Sequence, residues 1–413
     1  MTSIRVPAGA ALASSLVALA APAAAQCGYD AGSPQCYSFA PPASEIGNIS
    51  DNLVLRSNQL TISGDIRFRA RSGDSPNDAP YAGNGRSDQI ASRVRVNMDY
   101  VLNDVARAFV QFNSSETFAG AEPYSDAFPD GTFNGISQAY ILTQDMLGWG
   151  EEIRIGRSEF VLASGLVYGS CDFLQYPAAG TGLWFSKKID EHAFEIFGFD
   201  NNGTQTAAAT GARFVGGTGR VDLGNDLLKT IEPWVLFGTG EGDVDNEDSW
   251  YGLTFRGAVA KTEESSLFDW NVEVAQREVD ATDDDRTAYR AIVSKDLASY
   301  TDGFVDRVQL TRTDADGAMH INPADFNTAG LLHQYFGAWR SELITNQVGV
   351  TMSPTEKLDL ELAYLNFDQD GDKNNELNAM LGHPIGKGVH GWIGYGRDED
   401  DRQVVYAQVT MFF

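Results

Sequence analysis

The chain has 413 residues, of which 43% are hydrophobic and 21% charged, and its formal net charge is -27 at pH 7. The hydrophobic fraction excludes a disordered chain, and the negative charge argues against a nucleic-acid binder, which needs a basic surface. Three cysteines exclude a disulfide-dense scaffold, and five scattered histidines form no visible metal or catalytic cluster.

Residues 1–25 have the pattern of a secretory signal peptide. Arg5 is the only charge before an alanine-rich run that ends in three consecutive alanines. We expect cleavage before Gln26, which sends the mature chain to an oxidising compartment. Cys27 and Cys36 can close a small disulfide loop there, or they carry no activity.

The mature chain alternates apolar and polar residues at period two. In the first such segment Ile66 and Phe68 share one face, whereas Arg67 and Arg69 share the other. After residue 25 there is no uninterrupted apolar run of a length that predicts a transmembrane helix. The alternation predicts strands at 60–71, 88–101, 105–113, 133–143, 151–160, 181–188, 192–199, 211–221, 230–239, 249–260, 266–279, 287–297, 304–313, 345–353, 358–367, 377–385, 388–396 and 403–413.

The connections between these strands alternate between short and long. Short ones such as 102–104 and 386–387 take turns with long acidic ones such as 240–248 and 314–344. Short periplasmic turns and long extracellular loops are typical of bacterial outer-membrane barrels, whereas a soluble sandwich has no reason to sort its loops. We therefore predict an all-β fold, a transmembrane antiparallel β-barrel of eighteen strands with sixteen as the alternative.

The predicted barrel occupies residues 60–413, after a periplasmic segment at 26–59. It ends at an aromatic residue, Phe413, which closes an alternating strand and looks like the signal read by the barrel-assembly machinery. Five aromatics near strand ends fit interfacial girdles or, alternatively, ordinary packing. They are Tyr100, Trp270, Tyr289, Tyr364 and Tyr395.

Two short motifs carry a family resemblance. Residues 153–160 read Ile-Arg-Ile-Gly-Arg-Ser-Glu-Phe and follow Gln-Ala-Tyr-Ile at 138–141, while residues 65–69 read Asp-Ile-Arg-Phe-Arg. This pattern resembles the alginate-export family of outer-membrane porins, best over the first 200 residues. The resemblance implies an eighteen-strand barrel and diffusion of an anionic or sugar-like solute. The family's Arg-x-Phe-Asp-Gly element is replaced at 180–185 by Gly-Thr-Gly-Leu-Trp-Phe, so no ligand role is carried over from it.

A row of arginines is the strongest candidate site. Arginine on the lipid face costs about 2–4 kcal/mol at the bilayer midplane, so the alternation predicts that the row faces the lumen. One interpretation is an anion-selective pore; the alternative is a structural ladder paired with inward acids, including Asp65, Asp99, Glu152 and Glu273, as in a general porin. The candidate pore-lining residues are Arg67, Arg69, Arg71, Arg93, Arg95, Arg107, Arg154 and Arg157.

The acidic loops suggest a different site. Asp368, Asp370 and Asp372 place carboxylates at alternate positions, a spacing that suits Ca²⁺ but departs from the EF-hand. The alternative interpretation is a solvated acidic loop. Acids cluster also at 241–248, 280–285 and 398–401, where they form an anionic collar.

These features predict a channel for passive diffusion of small hydrophilic solutes, without catalytic residues or a resident cofactor. Trp184, Trp234 and Trp392 lie on the polar face of their strands, where they guide sugars or fill space under a loop folded into the lumen. The loops at 114–132 and 161–180 are candidates for that constriction. The competing hypothesis is a surface or adhesion barrel that binds Ca²⁺ through its acidic loops, and the oligomeric state stays open.

Overall fold

Eighteen long strands form the wall of the protein in the computed structural model. The described residues are 55–56, 59–75, 85–103, 105–119, 133–163, 165–169, 179–201, 213–239, 247–262, 265–279, 284–316, 319, 331, 342–355, 357–369 and 371–413. The predicted signal peptide, both N-terminal cysteines and Cys171 lie outside these residues. Strand bounds are β1 (Leu55–Arg56), β2 (Leu60–Ser75), β3 (Gly85–Val101), β4 (Ala106–Ala119), β5 (Phe133–Gln144), β6 (Glu151–Glu159), β7 (Ala179–Ile189), β8 (His192–Asp200), β9 (Arg213–Asp222), β10 (Thr230–Gly238), β11 (Ser249–Thr262), β12 (Ser265–Val279), β13 (Asp284–Asp296), β14 (Val305–Ala315), β15 (Leu343–Thr355), β16 (Leu358–Gln369), β17 (Asp372–Gly386), β18 (Val389–Asp398) and β19 (Gln403–Phe412).

The wall is a closed ring. Each strand from β2 to β19 pairs antiparallel with the next strand in sequence, and β19 pairs with β2 from Val404↔Gly73 to Phe412↔Asp65. The short β1 adds one pairing against β2. The predicted eighteen-strand antiparallel barrel is therefore confirmed, and the sixteen-strand alternative is wrong. Among the described residues no helix is long and apolar enough to span a bilayer.

Alternation along the strands separates an apolar outer face from a polar inner face. Phe68 is 53% exposed on the outside, whereas its neighbours Arg67 and Arg69 are 2% and 7% exposed on the inside. The last strand repeats the pattern, since Val405 faces outward and Tyr406 is buried. Successive side chains on a strand point to opposite faces, so the predicted parity of these strands is confirmed.

The seam of the barrel depends on one glycine. The amide of Gly64 donates to the carbonyl of Phe413 at 2.8 Å, and the amide of Phe413 donates back to Gly64 at 3.0 Å. A Cβ atom on Gly64 would lie 2.1 Å from the carbonyl oxygen of Arg95 and 2.8 Å from the Phe413 ring. Glycine is thus needed where the C-terminal aromatic lies against the first long strand.

Aromatic side chains mark both ends of the outer face. Tyr100 lies near the rim that carries the short turns, and Tyr364 and Tyr395 lie near the rim that carries the long loops. The Tyr364 hydroxyl donates to Asn375 at 2.9 Å, and the Tyr395 hydroxyl donates to Gln403 at 3.2 Å. A phenol that buries its ring and hydrogen-bonds at its tip suits a membrane–water interface.

Part of the loop after β6 folds against the inner wall. Leu166 and Tyr168 are fully buried, and the Tyr168 hydroxyl donates to Asn201 at 3.0 Å. The ring of Phe160 lies 4.7 Å from that of Phe197 and 6.2 Å from that of Trp184. This apolar cluster occupies the lumenal side of the wall, and it involves one of the two loops, 114–132 and 161–180, that the sequence named as candidates for folding inward. Residues 120–132 of the other candidate lie outside the described residues.

We predict that Phe68→Arg destabilises the barrel by about 2–4 kcal/mol, because it places a guanidinium on the lipid face near mid-strand. The conservative Phe68→Leu keeps the face apolar and should cost much less. Denaturant titration of the protein in lipid vesicles measures both. Equal stability of the two variants would contradict the assignment of Phe68 to the lipid-facing side.

Candidate functional site

Two neighbouring strands place five arginines on the inner wall. Arg67 on β2 pairs in register with Arg93 on β3, and Arg95 pairs with Asp65. The exposed fractions of Arg93 and Arg95 are only 1% and 3%. Alternation along each strand and antiparallel register between them therefore bring residues distant in sequence to one patch. The five arginines are Arg67, Arg69, Arg71, Arg93 and Arg95.

A single carboxylate bridges two of these guanidiniums. Asp65 Oδ1 lies 3.1 Å from a terminal nitrogen of Arg93, and Asp65 Oδ2 lies 2.5 Å from Nε of Arg95. Asp65 is itself buried. Charge-assisted hydrogen bonds of this kind fix the position of a guanidinium without removing its charge.

Two other arginines of the patch, Arg69 and Arg71, donate hydrogen bonds to side chains of β19, the strand that closes the barrel. Nε of Arg69 donates to Oε1 of Gln408 at 2.8 Å, and Nε of Arg71 donates to the Tyr406 hydroxyl at 3.0 Å. Arg71 also donates to the backbone carbonyl of Asp74 at 3.2 Å. These partners were not identified from the sequence, because they depend on β19 meeting β2.

The charge of this wall is positive on balance. Within the described parts of β2, β3 and β4, the inward positions carry six arginines and two aspartates, Asp65 and Asp99. Asp99 forms a two-pronged ion pair with Arg107. We call the six arginines of these strands the arginine strip; they are Arg67, Arg69, Arg71, Arg93, Arg95 and Arg107.

The remaining two predicted arginines behave differently. The guanidinium of Arg154 lies 4.9 Å from the ring centre of Trp184 and 5.9 Å from that of Tyr140, and 3.7 Å from a Glu195 oxygen. Arg154 therefore continues the row along the wall with aromatic neighbours as well as one carboxylate. Arg157 pairs in register with Ala139 and Thr181 and shares the face of Ile155, which is 53% exposed on the outside, so the register does not place it with the lumenal row as the sequence predicted. Its Nε donates to the Ser137 carbonyl at 3.0 Å.

The opposite wall carries acids together with arginines. β11 is nine positions from β2 around the ring of eighteen strands, so it faces β2 across the lumen. Beside it, Glu232 on β10 lies 3.1 Å from Arg256, and Glu273 on β12 pairs in register with Arg290. The predicted alternative of inward acids facing the arginine row thus has a physical counterpart, although these acids stand beside arginines of their own.

The candidate calcium ligands are only partly described. Asp368 accepts a hydrogen bond from the Gly371 amide at 3.0 Å and lies 3.7 Å from Nζ of Lys373. Asp370 and the side chain of Asp372 fall outside the described residues. Within the part of the chain that is described, no group of three or more histidine, cysteine or acidic residues is placed to hold a metal ion.

Trp184, Trp234 and Trp392, which alternate with the outward residues of their strands, are buried on the inner wall. Trp184 and Trp234 belong to the apolar cluster with the inward-folded loop, and Trp392 lies 6.1 Å from the ring of Tyr406. Trp250 joins them and donates through Nε1 to the Met319 carbonyl at 3.2 Å. Trp184, Trp234 and Trp250 fill space in the cluster with the loop, which is one of the two interpretations of the sequence, whereas Trp392 lies outside that cluster.

A closed eighteen-strand barrel with an apolar exterior and a charged lumen defines the porin class of architecture. No family model matches the chain, and no curated protein sequence matches it. Several solved structures match the chain in fold. A BenF-like porin from Pseudomonas fluorescens Pf-5 is 13% identical, covering 86% of this chain and 98% of its own, with a TM-score of 0.62.

Two other solved porins give similar values. Pseudomonas aeruginosa OccK2 (OpdF), determined in complex with glucuronate, is 13% identical with a TM-score of 0.63, over 86% of this chain and 98% of its own. Acinetobacter baumannii OccAB3 is 12% identical with a TM-score of 0.60, over 86% of this chain and all of its own. At such identities the similarity establishes the fold.

We predict that Asp65→Asn destabilises the barrel, because it removes the carboxylate between two buried guanidiniums. Breaking a buried pair costs about 3–5 kcal/mol, and water in the lumen should hold the loss near the lower limit. Denaturant titration in vesicles measures it, with Asp99→Asn as control because that pair is more exposed. A larger loss for Asp99→Asn than for Asp65→Asn would contradict the bridging role.

Proposed function

We propose that this protein is a channel of the bacterial outer membrane for passive diffusion of small hydrophilic solutes, with preference for anionic or sugar-like ones. The observation that carries the proposal is the arginine strip, with six guanidiniums and two aspartates on the inner faces of three adjacent strands. The apolar exterior supports a place in lipid, since only closed barrels and helices satisfy their backbone there.

Arginine is suited to this task for two physical reasons. Its guanidinium stays charged at every physiological pH, and its planar fork matches the geometry of a carboxylate. A charge about 7 Å from a passing ion in water contributes about 0.6 kcal/mol, which corresponds to about a threefold change in an equilibrium constant. Several such charges along one wall favour anions without holding them tightly, as permeation requires.

The solute class follows from the same wall. Arg69 and Arg71 supply positive charge that favours a carboxylate, while Gln408 and Tyr406, which accept hydrogen bonds from them, add neutral groups that suit hydroxyls. One similar solved porin was determined with glucuronate, a ligand that combines these features. Alginate export, the activity of the family that the short motifs resemble, remains a narrower hypothesis within this class.

Diffusion through such a lumen needs no catalytic cycle, and we propose none. Phe413 stays our candidate for recognition by the barrel-assembly machinery, and membrane lipid is the partner of the outer face. A general porin without solute preference is the alternative that the acids Glu232 and Glu273 on the facing wall favour. The surface barrel that binds Ca²⁺ has weaker support, because Asp368 is already engaged with Lys373.

We predict that Arg67→Gln and Arg69→Gln each lower the chloride-over-potassium permeability ratio by about sevenfold, because the loss of one charge disfavours chloride by about threefold and favours potassium by about threefold. Reversal potentials across planar bilayers in a KCl gradient measure the ratio. Arg312→Gln is the control, because Arg312 lies on the outer face. Equal selectivity of wild type and lumenal variants would favour the general porin.

We predict that glucuronate enters proteoliposomes faster than glucose, although glucuronate is the larger of the two. The reason is that the carboxylate gains from the arginine strip and the hydroxyls are shared by both solutes. Liposome swelling or isotope uptake measures the rates, with protein-free liposomes as control. In Arg67→Gln the difference should shrink, and a faster uptake of glucose by the wild type would contradict the anionic preference.

A further inference from the structure

The outer wall has a recess across β8 to β12. It encloses about 610 Å³, and its lining is mainly apolar. Gly217 and Gly219 of β9 form its floor, and outward side chains of Ile196, Leu253 and Val274 flank it. Gly217 pairs in register with Ile196 on one side and Val235 on the other, which places the recess on the lipid-facing side of the strands.

The recess exists because side chains are missing, not because the backbone is strained. A Cβ atom on Gly219 would find its nearest neighbour, Cγ of Pro233, at 3.8 Å, which is ordinary contact. Neither Gly217 nor Gly219 has a positive φ angle. The backbone at Gly219 therefore accepts a larger residue, and the glycine leaves open space in the outer face.

The two ends of the recess differ in polarity. Tyr251 and Gln276 line the end toward the long loops, and the Tyr251 hydroxyl donates to Glu278 at 2.9 Å. Farther along β9 in the same direction lies Arg213, half exposed and 3.6 Å from Asp200. The opposite end is lined by Phe194 and Pro233. A matching ligand has a long apolar part and a polar end that points to the long-loop rim.

We propose that this recess is a binding site for an acyl chain of an outer-leaflet membrane lipid. It is continuous with the apolar band that contacts the bilayer, so lipid is the material that surrounds it. Water has few polar partners there, and an empty recess would leave its lining without dispersion contacts. A flexible chain can follow an apolar depression that opens to the bilayer, whereas a second protein copy needs about 800 Å² of matching surface.

This site goes beyond the proposed channel function, because the side chains that flank it point outward from the barrel. The test uses palmitoyl-oleoyl phosphatidylglycerol as probe. The full chain is reconstituted in nanodiscs of this lipid, transferred to mild detergent and weighed by native mass spectrometry. We expect one retained lipid on the wild type and at least about fivefold less on Gly219→Leu, a difference near 1 kcal/mol.

Ala407→Leu is the matched control, since it adds the same side chain to an outward position of β19, far around the ring. It should retain lipid like the wild type. Gly219→Val serves as a second filling variant if Gly219→Leu does not reach the heat-modifiable folded form on gels. Equal retention by the filling variants and the wild type, or no retained lipid on the wild type, overturns the proposal.

A change in oligomeric mass on Gly219→Leu without a change in retained lipid would also overturn it, and would assign the recess to a second copy of the chain. Conductance in planar bilayers is read in parallel. We expect it to be the same in Gly219→Leu and the wild type. A wild type without conductance would count against the channel, and not against the lipid site.

Discussion

The hydrogen-bonding demand of the backbone governs this molecule. In the hydrocarbon of a bilayer an unpaired amide or carbonyl costs several kcal/mol, so a spanning sheet must have no open edge. The pairing of β19 with β2 removes the edge, and the reciprocal bonds between Gly64 and Phe413 complete it. Once the ring is closed, each side chain on a strand points either into the lumen or toward the lipid. A shift of one residue in the register of a strand would move all its side chains to the opposite face.

That sorting decides where charge can lie. On the outer face, charged residues occur beyond the apolar band, and they are tied together there: Arg312 donates to the Tyr289 hydroxyl at 2.6 Å and to Asp314 at 3.0 Å. On the inner face, arginines occur along much of the strand length, because the lumen is the polar side. The arginine strip therefore arises because the arginines of β2 and β3 occupy alternate positions that all point into the lumen, and not only because these strands contain many arginines.

The sequence was sufficient for the strands and their faces, but not for contacts between them. Alternation alone assigned Phe68 outward and Arg67 inward, because a period of two needs no partner. It did not show that Asp65 bridges Arg93 and Arg95, since that contact requires the register of β2 on β3. It also missed Tyr406 and Gln408 as partners of the strip, because they meet it through closure of the ring, more than 300 positions along the chain.

The loop after β6 shows a different limit of sequence reasoning. The sequence named 161–180 as one of two candidate inward loops but did not show which inner surface it packs against. The loop packs against inward-facing aromatic side chains, including Phe197, Phe199 and Trp250, and this packing removes their apolar surface from water.

This arrangement divides the lumen into two unlike sides. The apolar cluster under the loop extends along the wall from β7 to β16, whereas the arginine strip occupies the wall of β2 to β4. Arg154 stands between them, with its guanidinium over the ring of Trp184. In the channel that we propose, a hydrated solute would avoid the side where apolar packing excludes water and would pass along the charged side. The cluster would then contribute to selectivity without touching the solute.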